Sequence, residues 1–367
     1  MKRTLASVAA ALLLGACASE PPVVAAECAA PVRKSEPALA AAIDPLVDSA
    51  FDRGFAGGVV VIRDGDLVYS RVVGSASPTE NIPVTDETLF QVSSIAKYFT
   101  AALVMKAAEE GKFSIRDSIG VLAPGTRLAA RGVSFADLLS HQSGLGSTYV
   151  AERETNRDSA IAAIDKTEID EERVGGFRYS NDGYDLLGAL LERAYGRPYE
   201  ELLKEKIFEP ACLAHASHWS LVDVMDPHTV GQPLKPFPES LRSRNYGMMA
   251  AAGLLISAKD LAAYQQALME DKIVSQASLE KMFAPRGDTS IGKATFGAFL
   301  SEVDGAGRRL SALGSEDWGD NAAMHHYLDK NVIVAVVTSR GPAEETGEPM
   351  FRNELSEAIE AILFETD

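Results

Sequence analysis

The chain has 367 residues, of which 46% are hydrophobic and 24% charged, the balance of a globular protein with enough material for a sizeable core. Asp and Glu number 52 against 35 Lys and Arg, a formal charge of −17 at pH 7. A nucleic-acid binder must neutralise phosphates with cations, so this balance excludes nucleic acid as the expected partner and favours solubility without saying anything about fold.

Lys2 and Arg3 precede a mostly apolar run, residues 5–14, that is too short to cross a bilayer and reads as a secretory signal. Leu14-Gly-Ala-Cys17 behind it is similar to a bacterial lipobox. That implies lipidation of Cys17, a membrane contact through the lipid, and a place in the cell envelope facing the periplasm or exterior. A plain signal peptide cut near Ala18 or Ala26 is the alternative. Residues 18–38, rich in Ala, Pro, Glu and Val, read as a tether. Cys28, in that tether, and Cys212 remain. An exported protein can pair them, but the expectation is two free thiols or an optional bridge.

Residues 38–53 are a helix candidate. Two β-branched runs between Gly57 and Gly74 flank Asp64-Gly65, a strong hairpin signal. After a loop over 75–87, a helix is predicted from Ser94 to a stop at Gly111, rich in Ala and with Ile95, Phe99, Ala102 and Leu103 at core spacing. Helical segments follow at 133–139, 159–164, 184–195, 199–207 and 258–267, separated by Gly-, Ser- and Pro-rich loops. Strands are predicted at 295–303, 308–313, 322–327 and 332–339, and an amphipathic helix closes the chain at 351–364. Strands at both ends with helices between them predict an α/β (α+β) fold. One antiparallel sheet is built from both termini and flanked by the terminal helices, and a mostly helical lobe is inserted. The sheet lobe covers about 39–90 and 290–365, the helical lobe about 91–289, and the cleft between them is the expected place for a site.

Ser94 and Lys97 stand at i and i+3 where the first long helix begins, so an amine shares a face with a hydroxyl. A serine hydroxyl needs a neighbouring base to become a nucleophile, and a lysine can be that base where burial favours its neutral form. The pattern is short and recurs at Ser278 and Lys281, which read as an N-cap and a solvated face. Tyr179-x-Asn181 lies in a loop just before a helix. A phenol can move protons and an amide can orient both lysine and substrate, although a packing aromatic and an N-cap fit that loop alone better. His141 reads as structural, and residues 251–261 as a buried turn and helix start. Cys212, His215 and His218 have a metal-like spacing but no evident fourth ligand, so no metal or other cofactor is expected.

In this order the pieces resemble the serine β-lactamase and penicillin-binding superfamily, on its class C and esterase side. The resemblance is carried by the Gly57 hairpin, Ser94-Ile-Ala-Lys97, Leu139-Ser-His-Gln-Ser-Gly-Leu145, Phe177-Arg-Tyr-Ser-Asn-Asp-Gly-Tyr184, Ile207-Phe-Glu-Pro210 and Ala252-Gly-Leu-Leu-Ile-Ser257. It implies Ser94 as acylated nucleophile, Lys97 and Tyr179 as base and acid, Asn181 as orienting amide, and the Ser94 N–H as half of an oxyanion hole. The family's third motif, a Lys or His followed by Ser, Thr or Gly and then Gly, falls by counting back from Gly319 on Leu313-Gly314-Ser315. A leucine then replaces the cation, and Glu316 supplies the second oxyanion N–H. Arg244, His325 and His326 are the residues left to supply charge, with a sheet surface the preferred place for the histidine pair. The resulting expectation is an exported serine hydrolase acting through an acyl-enzyme on small or peptide-like esters or amides, more esterase-like than a true β-lactamase. A β-lactamase or D-alanyl peptidase, and a non-catalytic envelope binding protein, are the alternatives.

Overall fold

The computed structural model describes Cys28, residues 32–341 and residues 350–364. Asp64 and Gly65 both take positive φ, 53° and 84°, and close a tight turn between β1 (Gly57–Arg63) and β2 (Asp66–Val73). Two consecutive left-handed residues match the right-handed twist of the flanking strands, which is why Asp-Gly is so strong a hairpin signal.

The main sheet adds the strands β6 (Gly287–Thr289), β7 (Gly292–Ala294), β8 (Phe299–Val303), β9 (Gly307–Ser315), β10 (Asn321–Tyr327) and β11 (Val332–Thr338). Its order is β2-β1-β11-β10-β9-β8-β7-β6, with every pair antiparallel. β1 pairs with β11, Gly57 opposite Thr338, so the two ends of the chain meet in one sheet as expected. Alternate residues of β1 feed two layers. Val59 and Val61 pack outward with Ile43, Val47, Leu355 and Ile359, while Val60 and Ile62 join the larger inner core. The outer layer is covered by α1 (Pro37–Asp52) and α10 (Phe351–Phe364), the terminal helices.

The inserted lobe holds α2 (Ala96–Glu109), α3 (Arg127–Ala130), α4 (Phe135–Leu139), α5 (Arg157–Asp165), α6 (Asn181–Tyr195), α7 (Tyr199–Leu203), α8 (Ala258–Met269) and α9 (Gln276–Phe283). A small sheet, β3 (Phe90–Gln91), β5 (Leu254–Ile256) and β4 (Ala216–His218), completes it. α2 is buried nearly all round, and α8 covers the inner face of β1 and β11. A helix apolar on every side belongs in the middle of a core.

Several local expectations are corrected. Ser94 lies in a 3₁₀ turn, Ser93–Ile95, and α2 begins only at Ala96. Ser275, not Ser278, caps α9, and Ser278 is buried within it. The strand expected from residue 295 starts at Phe299, because Thr295 folds back to Ala298 through both its N–H and its hydroxyl. His325 and His326 are buried rather than on a sheet surface, since both faces of β10 are covered. His325 bonds the Ser311 hydroxyl at 2.8 Å and His326 the Gln265 amide at 3.0 Å. Burial pushes their imidazoles down to about 3 and about 4, which keeps both neutral.

Cys28 and Cys212 form a disulfide with Cα atoms 5.4 Å apart, so they are not free thiols. The chain is attached to the body ahead of residue 39: Lys34 N–H donates to Leu67 O, Leu67 N–H to Val32 O, and Arg63 pairs with Glu36. Residues 1–17, including Cys17, and the stretch 18–27 of the expected tether lie outside the described residues. Among the described residues no helix is long and apolar enough to cross a membrane.

Candidate active site

Ser93 has φ 51°, a left-handed conformation unusual for a side chain with a Cβ, and it turns the chain sharply from β3 into α2. Ser94 stands on this corner. Its Oγ accepts hydrogen bonds from Tyr179 Oη at 2.7 Å and from Lys97 Nζ at 3.2 Å. Lys97 is 2% exposed and also donates to Ala251 O at 2.8 Å. Its Nζ lies 4.9 Å from the Tyr179 ring centroid and 5.9 Å from that of Tyr184. The helical lobe therefore brings two proton-carrying groups onto one hydroxyl.

Tyr179 is held by its neighbours. Ser180 caps α6 by accepting the Gly183 N–H at 2.8 Å, and its hydroxyl donates to Gly146 O. His141 stacks on Tyr179, ring centroids 4.6 Å apart, and its Nδ1 accepts the Ser180 N–H at 3.0 Å. Burial, with Lys97 adding, pushes the His141 imidazole down to about 3, so it is a neutral packing group. Asn181 donates its backbone N–H to Ser147 Oγ, and its buried side-chain Oδ1 has no partner among the described residues. A narrow cleft, with room for little more than a water molecule, is lined by Ser94, Lys97, His141, Tyr179, Gly297, Ala298, Phe299 and Leu313. Two larger surface depressions, one beside Arg309 and Glu360 and one beside Arg244 and Glu192, contain none of Ser94, Lys97, Tyr179, Asn181 and Leu313.

β9 reaches this corner at Gly314. A Cβ there would lie 2.0 Å from Val92 O and 3.1 Å from Ser94 N, so only glycine permits the approach. Glu316 N–H donates to Asp320 O at 2.9 Å, on the β10 side, and is not directed at the cleft as expected. N–H directions alternate along an antiparallel strand, so Ser315 N–H is aimed at the other edge. That edge is open to the site because β8 pairs with β9 only as far as Ser311. The count back from Gly319 thus misplaces the third motif by one residue. Gly314 is the residue that fits the motif's glycine, which moves the expected place of the cation from Leu313 to Ala312, on the face of β9 that it shares with Gly314. Both Ala312, 1% exposed, and Leu313 are uncharged. Arg244 does not replace the cation, because it pairs with Glu192 and Glu200 on the helical lobe.

Three residues around the site went unrecognised in the sequence, and a fourth, Glu316, was singled out only for its backbone N–H. Arg352, at the start of α10, is buried and donates to Gly314 O from the outer side of the sheet. Its signal is a cation on the apolar face that includes Leu355 and Ile359. Asp182 and Asp185 occupy the buried side of α6 and accept backbone N–H groups from two separate loops. Burial pushes the Asp185 carboxyl up to about 7, against the opposing pull of its amide donors and of Lys97. Glu316 has an Oε1 shut off from solvent with no partner among the described residues, and burial pushes its carboxyl up to about 8, with Lys97 pulling the other way. Cys212, His215 and His218 do not form a metal site, since Cys212 is in the disulfide and His218 bonds Met249 O and Ser220. Among the described residues no group of three or more His, Cys, Asp or Glu is placed to hold a metal.

The family model described as Beta-lactamase matches residues 39–358 of the chain. The chain belongs to that family. It is 29% identical over 342 residues to penicillin-binding protein 4* of Bacillus subtilis (strain 168), covering 84% of this chain and 72% of the relative. It is 30% identical over 165 residues to the teichoic acid D-alanine hydrolase of Staphylococcus aureus (strain MRSA252), a match covering 45% of this chain and 41% of that one. Among solved structures, the D-amino acid amidase from Ochrobactrum anthropi SV3 complexed with L-phenylalanine has a TM-score of 0.74 at 21% identity, covering 89% of this chain and 97% of the amidase. The penicillin binding protein from Bacillus halodurans has a TM-score of 0.71 at 20% identity, with 86% and 99% covered. These two likenesses show the fold.

Proposed function

We propose that the protein is an exported serine hydrolase that cleaves esters or amides through an acyl-enzyme on Ser94. The observation that carries this reading is the convergence of Tyr179 Oη and Lys97 Nζ on Ser94 Oγ. The substrate carbonyl would lie over Ser94 with its oxygen toward the N–H groups of Ser94 and Ser315, where donors stabilise the developing charge. As Ser94 Oγ bonds the carbonyl carbon, its proton passes to the Lys97–Tyr179 pair. Tyr179 returns it to the departing alcohol or amine as that bond breaks. Water then attacks the acyl carbon by the reverse route, Ser94 recovers its proton, and a carboxylic acid leaves. The Asn181 amide, with its free Oδ1, would orient Lys97 and the substrate.

One relative is named a teichoic acid D-alanine hydrolase, which supports a hydrolytic activity. The uncharged Ala312 and Leu313 favour substrates without a carboxylate on the leaving side. An exported protein tethered by lipid at Cys17 fits the same reading. Loss of fatty-acid labelling in Cys17→Ser is expected, and equal labelling would refute the anchor. The decisive experiment is labelling with a fluorescent fluorophosphonate. The parent should label and Ser94→Ala should not; an unlabelled parent would favour a non-catalytic envelope binding protein instead.

A further inference from the structure

The Ala251 carbonyl that receives Lys97 belongs to a turn, residues 248–251, which Ala252 N–H closes by donating to Met248 O and which side chains from outside hold further. Met248 has φ 64°, a conformation L side chains rarely adopt and keep only where the surroundings enforce it. The enforcing group is Asp185, fully buried in the second turn of α6. One of its carboxylate oxygens accepts Met248 N–H at 2.9 Å, and the other accepts Ala250 N–H at 3.0 Å and Ala251 N–H at 3.1 Å. From the opposite side Thr100 Oγ1 donates to Ala250 O at 2.6 Å. The turn is thus clamped through its amides by Asp185 and through its carbonyls by α2. One turn earlier on the same helix, Asp182 grips the loop 148–150 in the same way, through Thr148 N–H, the Thr148 hydroxyl and Val150 N–H. Tyr179 immediately precedes this helix, so one rigid element carries Tyr179 and fixes the acceptor of Lys97.

Among the described residues no carboxylate is hydrogen-bonded to Lys97, and Ala312 leaves the strand side without a cation. The direction of Lys97 then depends on the Ala251 carbonyl, and that carbonyl depends on Asp185. We propose that Asp185 is a positioning residue of the reaction: by fixing the 248–251 turn it aims the Ala251 carbonyl and so holds Lys97 Nζ on Ser94 Oγ. This rests on the reading of Ser94 and Lys97 as nucleophile and base. It adds a requirement for a carboxylate at a position that touches neither substrate nor nucleophile.

Asp185→Asn keeps the shape but sets an amide NH₂ against backbone N–H groups, which weakens the clamp. The fraction of competent sites is first measured by fluorophosphonate labelling run to its end point, and kcat per labelled site is then read on a neutral aryl ester. The expected result is a fall of about 10- to 100-fold in kcat per site with KM within about 3-fold of the parent, as for an interaction felt in the transition state rather than in binding. A folded Asp185→Asn with the parent's kcat per site overturns the proposal. Asp185→Ala leaves three amides without an acceptor, and added formate, a small carboxylate, is expected to raise both its Tm and its kcat per site. Recovery of Tm without recovery of turnover reduces Asp185 to a folding residue and also overturns the proposal. A parent that neither labels nor loses turnover in Ser94→Ala overturns the reading of the site itself, an outcome distinct from either result at Asp185.

Discussion

Gly314 lies so close to Val92 that a Cβ at 314 would stand 2.0 Å from the Val92 carbonyl oxygen. The contact joins β9 to the corner carrying Ser94, so the serine and the strand edge beside it cannot shift independently. Gly314→Ala must push the strand and the corner apart. Overpacking of this kind costs about 1–3 kcal/mol, and displacement of the edge should remove most of the oxyanion geometry. We expect a lowered Tm and a loss of about 100-fold or more in kcat on a neutral ester, of the size seen when one oxyanion donor is lost. Full activity in a folded Gly314→Ala would show that this strand edge has no part in the reaction.

Tyr179→Phe deletes the donor at 2.7 Å from Ser94 Oγ while leaving the ring that His141 stacks on. The expected cost is about 10²- to 10⁴-fold in kcat, the usual range for a positioned acid or base. Mass spectrometry of the trapped adduct should place it on Ser94. Ser278, despite its Lys281 at i+3, is buried inside α9 and should remain unmodified. An adduct on Ser93 or Ser278 would refute the assignment.

On the proposed reading, neither Ala312 nor Leu313 on the strand beside Ser94 offers a charge to anchor a substrate carboxylate. Such an ion pair in a partly desolvated cleft is worth on the order of 2–4 kcal/mol, roughly 30- to 1,000-fold in rate or affinity. Short-chain aryl esters should therefore be turned over measurably and penicillins poorly, as judged by the ratio of kcat/KM for a chromogenic β-lactam and a neutral ester. A parent that prefers the β-lactam would show that another cation serves the site.

The two lobes and the sheet joining the termini were legible in the sequence because hydrophobic period and turn residues are local signals. Asp64-Gly65 and the alternation in residues 57–63 determine a hairpin wherever it is placed. Ser94, Lys97 and Tyr179 were legible for a related reason, since each sits at a helix start with a short spacing. What escaped depends on contacts across the fold. The third motif was misplaced by one residue because only the approach of Gly314 to Val92, and the pairing of Glu316 with Asp320, define the register. Asp185 and Arg352 were hidden as polar letters in amphipathic helices, and the partners that give them meaning lie 63 and 38 residues away. The disulfide joins cysteines 184 residues apart, a separation at which sequence carries no pairing signal.

Glu316 makes stability depend on pH in a definite direction. A glutamate titrates near 4.3 when unfolded, and burial pushes the folded carboxyl up to about 8. The folded state then holds the proton more tightly, so this residue penalises folding progressively as pH rises from about 4.5 to about 8. Glu316→Gln removes the penalty. Its Tm should exceed the parent's by a margin that grows between pH 5 and pH 8, measured by thermal melts across that range. A margin that is constant or shrinks would show that Glu316 ionises in the folded protein as it does in water.

On the proposal that Cys17 carries a lipid, the disulfide between Cys28 and Cys212 would set how far the protein can stray from a bilayer. Cys17 lies 11 positions before Cys28. At full extension that stretch covers roughly 40 Å. With a lipid on Cys17, the helical lobe around Cys212 is leashed within about one domain diameter of the headgroups, whatever the conformation of the leash. Scission of the disulfide would lengthen the leash by only the few residues to Val32, where the chain is again bonded to β2. Such an enzyme works on acyl groups within a shallow zone above the membrane, and polymer further out must be mobile enough to come to it.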